Sequence, residues 1–138
     1  MAFPQSLLRR SVIVLTLAFA LGALSGCQSG GVAAGEGPGI KGYVEGELNG
    51  NVAAPLDATL AVVMQELVNM GVLNADEQRD SLVIEINART LQEVPLRIRL
   101  SRVADELTKI RVKAGENDEQ LARSIYGRIR NRLQLQFN

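Results

Sequence analysis

The run VPLRIRL, Val94–Leu100, sets apolar Leu96, Ile98 and Leu100 against basic Arg97 and Arg99 in strict alternation. A period of two puts the apolar side chains on one face of a strand and both arginines on the other. The run LTKIRVK, Leu107–Lys113, repeats the pattern: Ile110 and Val112 fall on one side, Lys109, Arg111 and Lys113 on the other. Between them lies the polar segment SRVADE, which suits a reversal. An earlier run, SLVIEINART, joins the pair through Leu91–Glu93. The three runs predict an antiparallel meander with one dry face and one wet face.

Cover for the dry face is found on both sides of the meander. In Pro55–Met70 the apolar residues Leu56, Leu60, Val63, Leu67 and Met70 are spaced as one helical stripe. Pro55 suits a first helical position and Gly71 the position after the last turn. Met64 and Met70 are expected to fill core space. Downstream, ENDEQLARSIYGRIRNRL repeats apolar residues every fourth position at Leu121, Ile125, Ile129 and Leu133. Asn117 is the expected N-cap, with Gln120 completing a capping box. Asp118 and Glu119 suit the positive end of that helix, and Arg128, Arg130 and Arg132 the negative end. The closing LQLQFN fits either a short strand or more helix.

Two other segments complete the order. Gly42–Asn49, GYVEGELN, alternates weakly and reads as one first strand; Asn74–Asp80, NADEQRD, reads as a polar connection. The expected fold is α+β, in the order β-α-β-β-β-α. It is a two-layer sandwich: a four-stranded, mostly antiparallel sheet with two helices packed on one face. A crossover through the first helix is expected to be right-handed if its two strands are parallel. Residues 42–138 form a single domain on this reading.

The amino end carries a different message. Arg9 and Arg10 precede Val12–Leu24, which is apolar except for Thr16. That run is shorter than the about 20 residues a membrane-spanning helix takes, and with its charged start it describes an export signal. The sole cysteine follows, in Leu24-Ser25-Gly26-Cys27. This quartet resembles the lipobox of bacterial lipoproteins. The resemblance implies cleavage between Gly26 and Cys27, a diacylglyceryl group on the Cys27 thiol and acylation of the freed amine. Two or more acyl chains suffice for stable anchoring. A secreted chain with a free Cys27, or an uncleaved anchor, are the alternatives. The lone thiol favours the lipid, because exported cysteines usually pair.

By the sorting rule of such lipoproteins, Gln28 after the cysteine implies the outer membrane, most simply its periplasmic side. Residues 1–26 are then a leader, and 27–41 a lipidated cysteine with a glycine-rich tether. Fully extended, QSGGVAAGEGPGIK would reach about 45–50 Å at about 3.3–3.6 Å per residue.

Composition removes several function classes. Fifteen basic and fifteen acidic residues balance, which gives no reason to expect nucleic acid as a partner. Histidine is absent, so the commonest general base and metal ligand is missing. Ser101 and Ser124 have no base beside them in sequence. Glu116, Asp118 and Glu119 sit where helix starts collect acids and lack the spacing of a calcium loop. Asp76, Glu77 and Asp80 read as a solvated turn, and no glycine pattern cradles phosphate after a strand. Neither an enzyme, a cofactor nor a metal is expected.

Charge is unevenly spread, with acids dominating residues 28–80 and bases residues 81–138. On the wet face Arg97, Arg99, Lys109, Arg111 and Lys113 would gather. Like charges on facing strands are mildly destabilising. Glu85, Glu45 and Glu47 offset them in part. A solvated, partly paired face is one reading; contact with an anionic partner is the other.

The quoted stretches GYVEGEL, ATLAVVMQELVNMGV, IEINART and TKIRVKAGENDEQLARSIYGRIRNRL resemble a family of small bacterial outer-membrane lipoproteins whose domain has no assigned function. The likeness covers Gly42–Leu133. Family members have a tighter Gly-Asp where this chain has Glu116-Asn117-Asp118. The anchor, the tether and the absence of a catalytic set point to a non-enzymatic, lipid-anchored envelope protein that binds an envelope protein or glycan. The alternative is a lipid- or lipopolysaccharide-handling module using the basic face. Lipopolysaccharide-assembly lipoproteins, too, pair two helices with a sheet.

Overall fold

The structure, a computed structural model, describes residues 37–72 and 74–137. The expected leader, its cleavage point at Gly26, the lipid site at Cys27 and most of the tether lie outside the described residues. Those that are described belong to one compact unit.

The α+β class and the two helices are as expected, but the described sheet has six strands rather than four. In chain order the elements are β1 (Gly39–Val44), β2 (Glu47–Val52), α1 (Leu56–Asn69), β3 (Asp76–Arg79), β4 (Val83–Arg89), β5 (Pro95–Ala104), β6 (Leu107–Ala114) and α2 (Glu119–Phe137). Across the sheet the order is β1-β2-β6-β5-β4-β3, and every neighbouring pair is antiparallel. A crossover between adjacent parallel strands is therefore not part of this sheet.

Both extra strands have a local cause. GYVEGELN is a hairpin and not one strand: Val44 pairs with Glu47 around the two-residue turn Glu45-Gly46. Both turn residues have positive φ, 54° and 79°. That is the backbone of the two-residue turn whose twist matches its flanking strands. Gly39–Lys41, read as the end of the tether, are the start of β1. The other addition is β3, the DEQR stretch read as a connection, which pairs with β4 from Asp76–Asn87 to Arg79–Ile84. All four of its residues are exposed.

The dry face forms as the alternation requires. Leu48, Val112, Ile98 and Ile86 make one cross-strand row; Gly50, Ile110, Leu100 and Ile84 make the next. Every one of these residues is buried. Burying each large aliphatic side chain contributes roughly 1.5–3 kcal/mol. From α1, Leu56, Val62, Val63 and Leu67 join this core; from α2, Ala122, Ile125, Tyr126, Ile129 and Leu133 do. Leu60, Met64, Met70 and Leu121 pack at its margin.

Cap geometry refines three expectations. Pro55 is the extended N-cap of α1 and not its first helical residue. Gly71 follows the helix at φ 81°, with Val72 N donating to Leu67 O and Gly71 N to Val68 O. This is the double bond of a left-handed helix stop. For α2 the cap is Asp118, not Asn117: its Oδ1 accepts from Leu121 N at 2.9 Å. The helix then runs through LQLQF, so Arg128, Arg130 and Arg132 lie in its middle and not at its end.

Arg132 has a specific partner there. Its Nη2 and Nε donate to Glu66 Oε1 of α1 at 2.9 and 3.0 Å, and Asn69 Nδ2 donates to the same oxygen at 3.3 Å. Glu66 is the one carboxylate among the buried described residues, at 6 % exposure. A buried charge is tolerable when paired and hydrogen-bonded. The pair ties α1 to α2.

A second brace runs from α2 to β2. The Tyr126 ring lies over Gly50, where an added Cβ would come within 2.6 Å of the ring. Its hydroxyl donates to Asn51 O at 2.7 Å. Gly50 is small because an aromatic ring occupies the space its side chain would take.

Candidate functional site

The wet face is built by the alternate residues of the same strands. In one row Glu47, Lys113, Arg97, Asn87 and Asp76 follow each other across β2, β6, β5, β4 and β3. In the next the order is Asn49, Arg111, Arg99, Glu85 and Gln78. A third runs Asn51, Lys109, Ser101 and Val83. All five candidate residues, Arg97, Arg99, Lys109, Arg111 and Lys113, share this face. Lys113 stands directly opposite Arg97, and Arg111 opposite Arg99.

The arginines of β5 are turned toward β4. Arg99 Nη2 meets Glu85 Oε2 at 2.8 Å, and its Nε donates to the same oxygen at 3.3 Å. Arg97 Nε lies 3.6 Å from Glu85 Oε1 and donates to Asn87 Oδ1 at 3.4 Å. Asn87 Nδ2 completes the cluster by donating to Glu85 Oε1 at 3.3 Å. The hydrogen bond from Arg99, then that from Asn87, hold the Glu85 carboxyl below the usual glutamate range. The same hydrogen bond, with the charges of Glu85 and Glu47, pushes the Arg99 guanidinium up. One carboxylate thus answers two arginines.

The bases of β6 are not answered in this way. Among the described residues, no carboxylate lies within 4 Å of a nitrogen of Lys109, Arg111 or Lys113. Glu47 stands in register with Lys113 without forming such a pair. Glu45 occupies the β1–β2 turn and does not join the rows.

Two grooves accompany this surface. One, of about 310 Å³, opens on the wet face and is lined by Lys41, Gly42, Val44, Asn49, Asn51, Val103 and Lys109. Sequence reasoning missed Lys41 and Val103. The other, of about 580 Å³, lies off the wet-face bases, between the end of α1 and the β4–β5 turn, with Arg89, Thr90 and Glu93 in its wall.

Among the described residues no three of His, Cys, Asp or Glu gather as a metal cluster. Ser101 stands opposite Lys109 in the sheet, and Ser124 is an exposed residue of α2. The Tyr43 hydroxyl is enclosed and has no hydrogen-bond partner among the described residues. Burial, then the charges of Glu119 and Asp118, push it up, so it stays protonated. Burial likewise raises Tyr126. No helix among the described residues is long and apolar enough to cross a membrane.

Residues 11–132 match the model of a family described as protein of unknown function (DUF3568). The chain belongs to this family. The DUF3568 match takes in the apolar stretch Val12–Leu24 and Cys27, and extends through all six strands into α2. No curated protein matches the chain.

Proposed function

We propose that this DUF3568 chain is a lipid-anchored, non-enzymatic binding module at the bacterial outer membrane, facing the periplasm, and that the wet sheet face is its contact surface. The anchor rests on Leu24-Ser25-Gly26-Cys27 behind a short apolar run. The contact surface rests on one observation: five bases share one face of β5 and β6, and among the described residues only Glu85 pairs any of them within 4 Å. Such a face attracts an anionic partner, an acidic envelope protein or a charged glycan. Anionic lipid, including lipopolysaccharide, is the second reading, favoured by the unanswered bases of β6. Each base near an anionic membrane surface adds about 1 kcal/mol, weakened by salt.

Two measurements test this. Mass spectrometry of the mature amino terminus from membrane fractions is expected to find Cys27 first and acylated; an intact leader or a bare thiol sinks the anchor. Cosedimentation with anionic vesicles is expected to fall with salt and to be lost in Arg97→Glu with Arg111→Glu. Unchanged sedimentation of that double variant rejects the lipid reading, and crosslinking from the same face in cells then asks for a protein or glycan.

A further inference from the structure

The smaller groove on the wet face owes its walls to two β-bulges. In the β1–β2 pair, Ile40 stands opposite Gly50 and Gly42 opposite Asn49, so Lys41 is an extra residue. In the β5–β6 pair, Arg102 stands opposite Thr108 and Ala104 opposite Leu107, so Val103 is the extra residue. A bulge re-aims the side chain it inserts. Here the two re-aimed side chains, Lys41 and Val103, line the same groove as Lys109 of β6.

The lining has a definite chemistry. Lys41 and Lys109 bring two ammonium groups from strands two positions apart, about 10 Å at a strand spacing near 4.8 Å. Two extended lysine side chains are together long enough to reach across that gap to one small anion. Asn49 adds an amide, and Val44 and Val103 are exposed apolar walls. No acidic residue is in the lining. Position matters too: Lys41 is the third residue of β1, at the end of the domain nearest Cys27 in sequence.

We propose that this groove binds a phosphate group, with Lys41 and Lys109 holding its oxygens and Val44 and Val103 receiving whatever apolar group the phosphate is esterified to. The proposal deepens the reading of the wet face as a contact surface and rests on it. The phosphate could belong to a lipid headgroup or be free, and the two sources separate by experiment.

The test uses the full chain in a non-ionic detergent. Sodium phosphate forms one arm and dihexanoyl phosphatidylglycerol, below its micelle concentration, the other; binding is read from NMR shifts of lysine side chains. Lys41→Gln and Lys109→Gln are each expected to weaken binding about tenfold, as loss of a charge-assisted hydrogen bond does. Arg89→Gln, an equal charge change at the end of β4 and outside the five bases, is expected to change it less than about twofold. If the lipid alone binds with this pattern, and Val103→Asn weakens it, the source is a headgroup; if phosphate binds as well as the lipid does, the ester group is dispensable. Equal weakening by all three charge changes overturns the groove and leaves the broad basic face standing. Absence of binding to either probe also overturns it, while the vesicle test of Arg97→Glu with Arg111→Glu judges the face separately.

Discussion

The wet face divides into two halves that hold the same kind of residue and treat it differently. On the β4–β5 side, Arg97 and Arg99 lean on Glu85 and its neighbour Asn87. On the β2–β6 side, Lys109, Arg111 and Lys113 have no carboxylate within 4 Å among the described residues. The difference shows what a count of bases cannot. A cation that reaches an acid on the next strand belongs to the sheet, whereas one that reaches none is held only by its own strand and remains free to meet something else. The unanswered half is also flanked by both bulged residues, Lys41 of β1 and Val103 of β5, and α2 braces it from behind.

That brace offers the largest way to disturb one half and not the other. Gly50→Ala drives a Cβ into the Tyr126 ring and is expected to cost about 2–3 kcal/mol in chemical denaturation. Faster amide exchange should be confined to β1 and β2; a uniform increase across the sheet would break the division. Tyr126→Phe keeps the ring but removes the hydrogen bond to Asn51 O, with an expected loss of about 1 kcal/mol. Thermal unfolding checks that value.

Glu85→Gln probes the answered half. It is expected to cost roughly 0.5–1.5 kcal/mol at neutral pH, since the pair is only partly shielded from water. The pH dependence has a definite sign. Glu85 titrates below its ordinary value in the folded chain, so its contribution is full above the ordinary glutamate range. It is lost as pH falls through the lowered value. Denaturation midpoints of Glu85→Gln and the parent should therefore differ at neutral pH and converge in acid. The smallest effect belongs to Arg111→Thr, which removes a base facing Arg99 and places a β-branched residue in a strand. It should stabilise by a few tenths of a kcal/mol, and added salt should erase the gain.

The central strands were readable because burial on one face writes a period of two, as at Leu96, Ile98 and Leu100. The elements that escaped lack that signature. β3 is an edge strand with no apolar residue, so DEQR carries no pattern to find. The first hairpin was hidden because its turn is Glu45-Gly46 and not the asparagine- or aspartate-glycine pair that advertises such turns. The sequence leaves the end of α2 open because LQLQF satisfies both a strand and a helical period. Glu66 could have been suspected, as a carboxylate between Val63 and Leu67 on the apolar stripe. Of the candidate site, the five bases were legible and the groove was not. A bulge adds one residue without altering composition, and only the pairing register exposes Lys41 and Val103.

The rims of this sheet have a bearing on how such molecules tolerate crowding. One rim ends in the short charged β3, pinned to α1 by Arg79 Nη2 and Asp57 Oδ1 at 2.6 Å; the other is interrupted where Lys41 steps out of β1. Neither presents the long flat row of free amides and carbonyls on which a neighbour could zip. Copies brought close together are thereby steered away from fusing edge to edge into fibrils, and each keeps its own sheet.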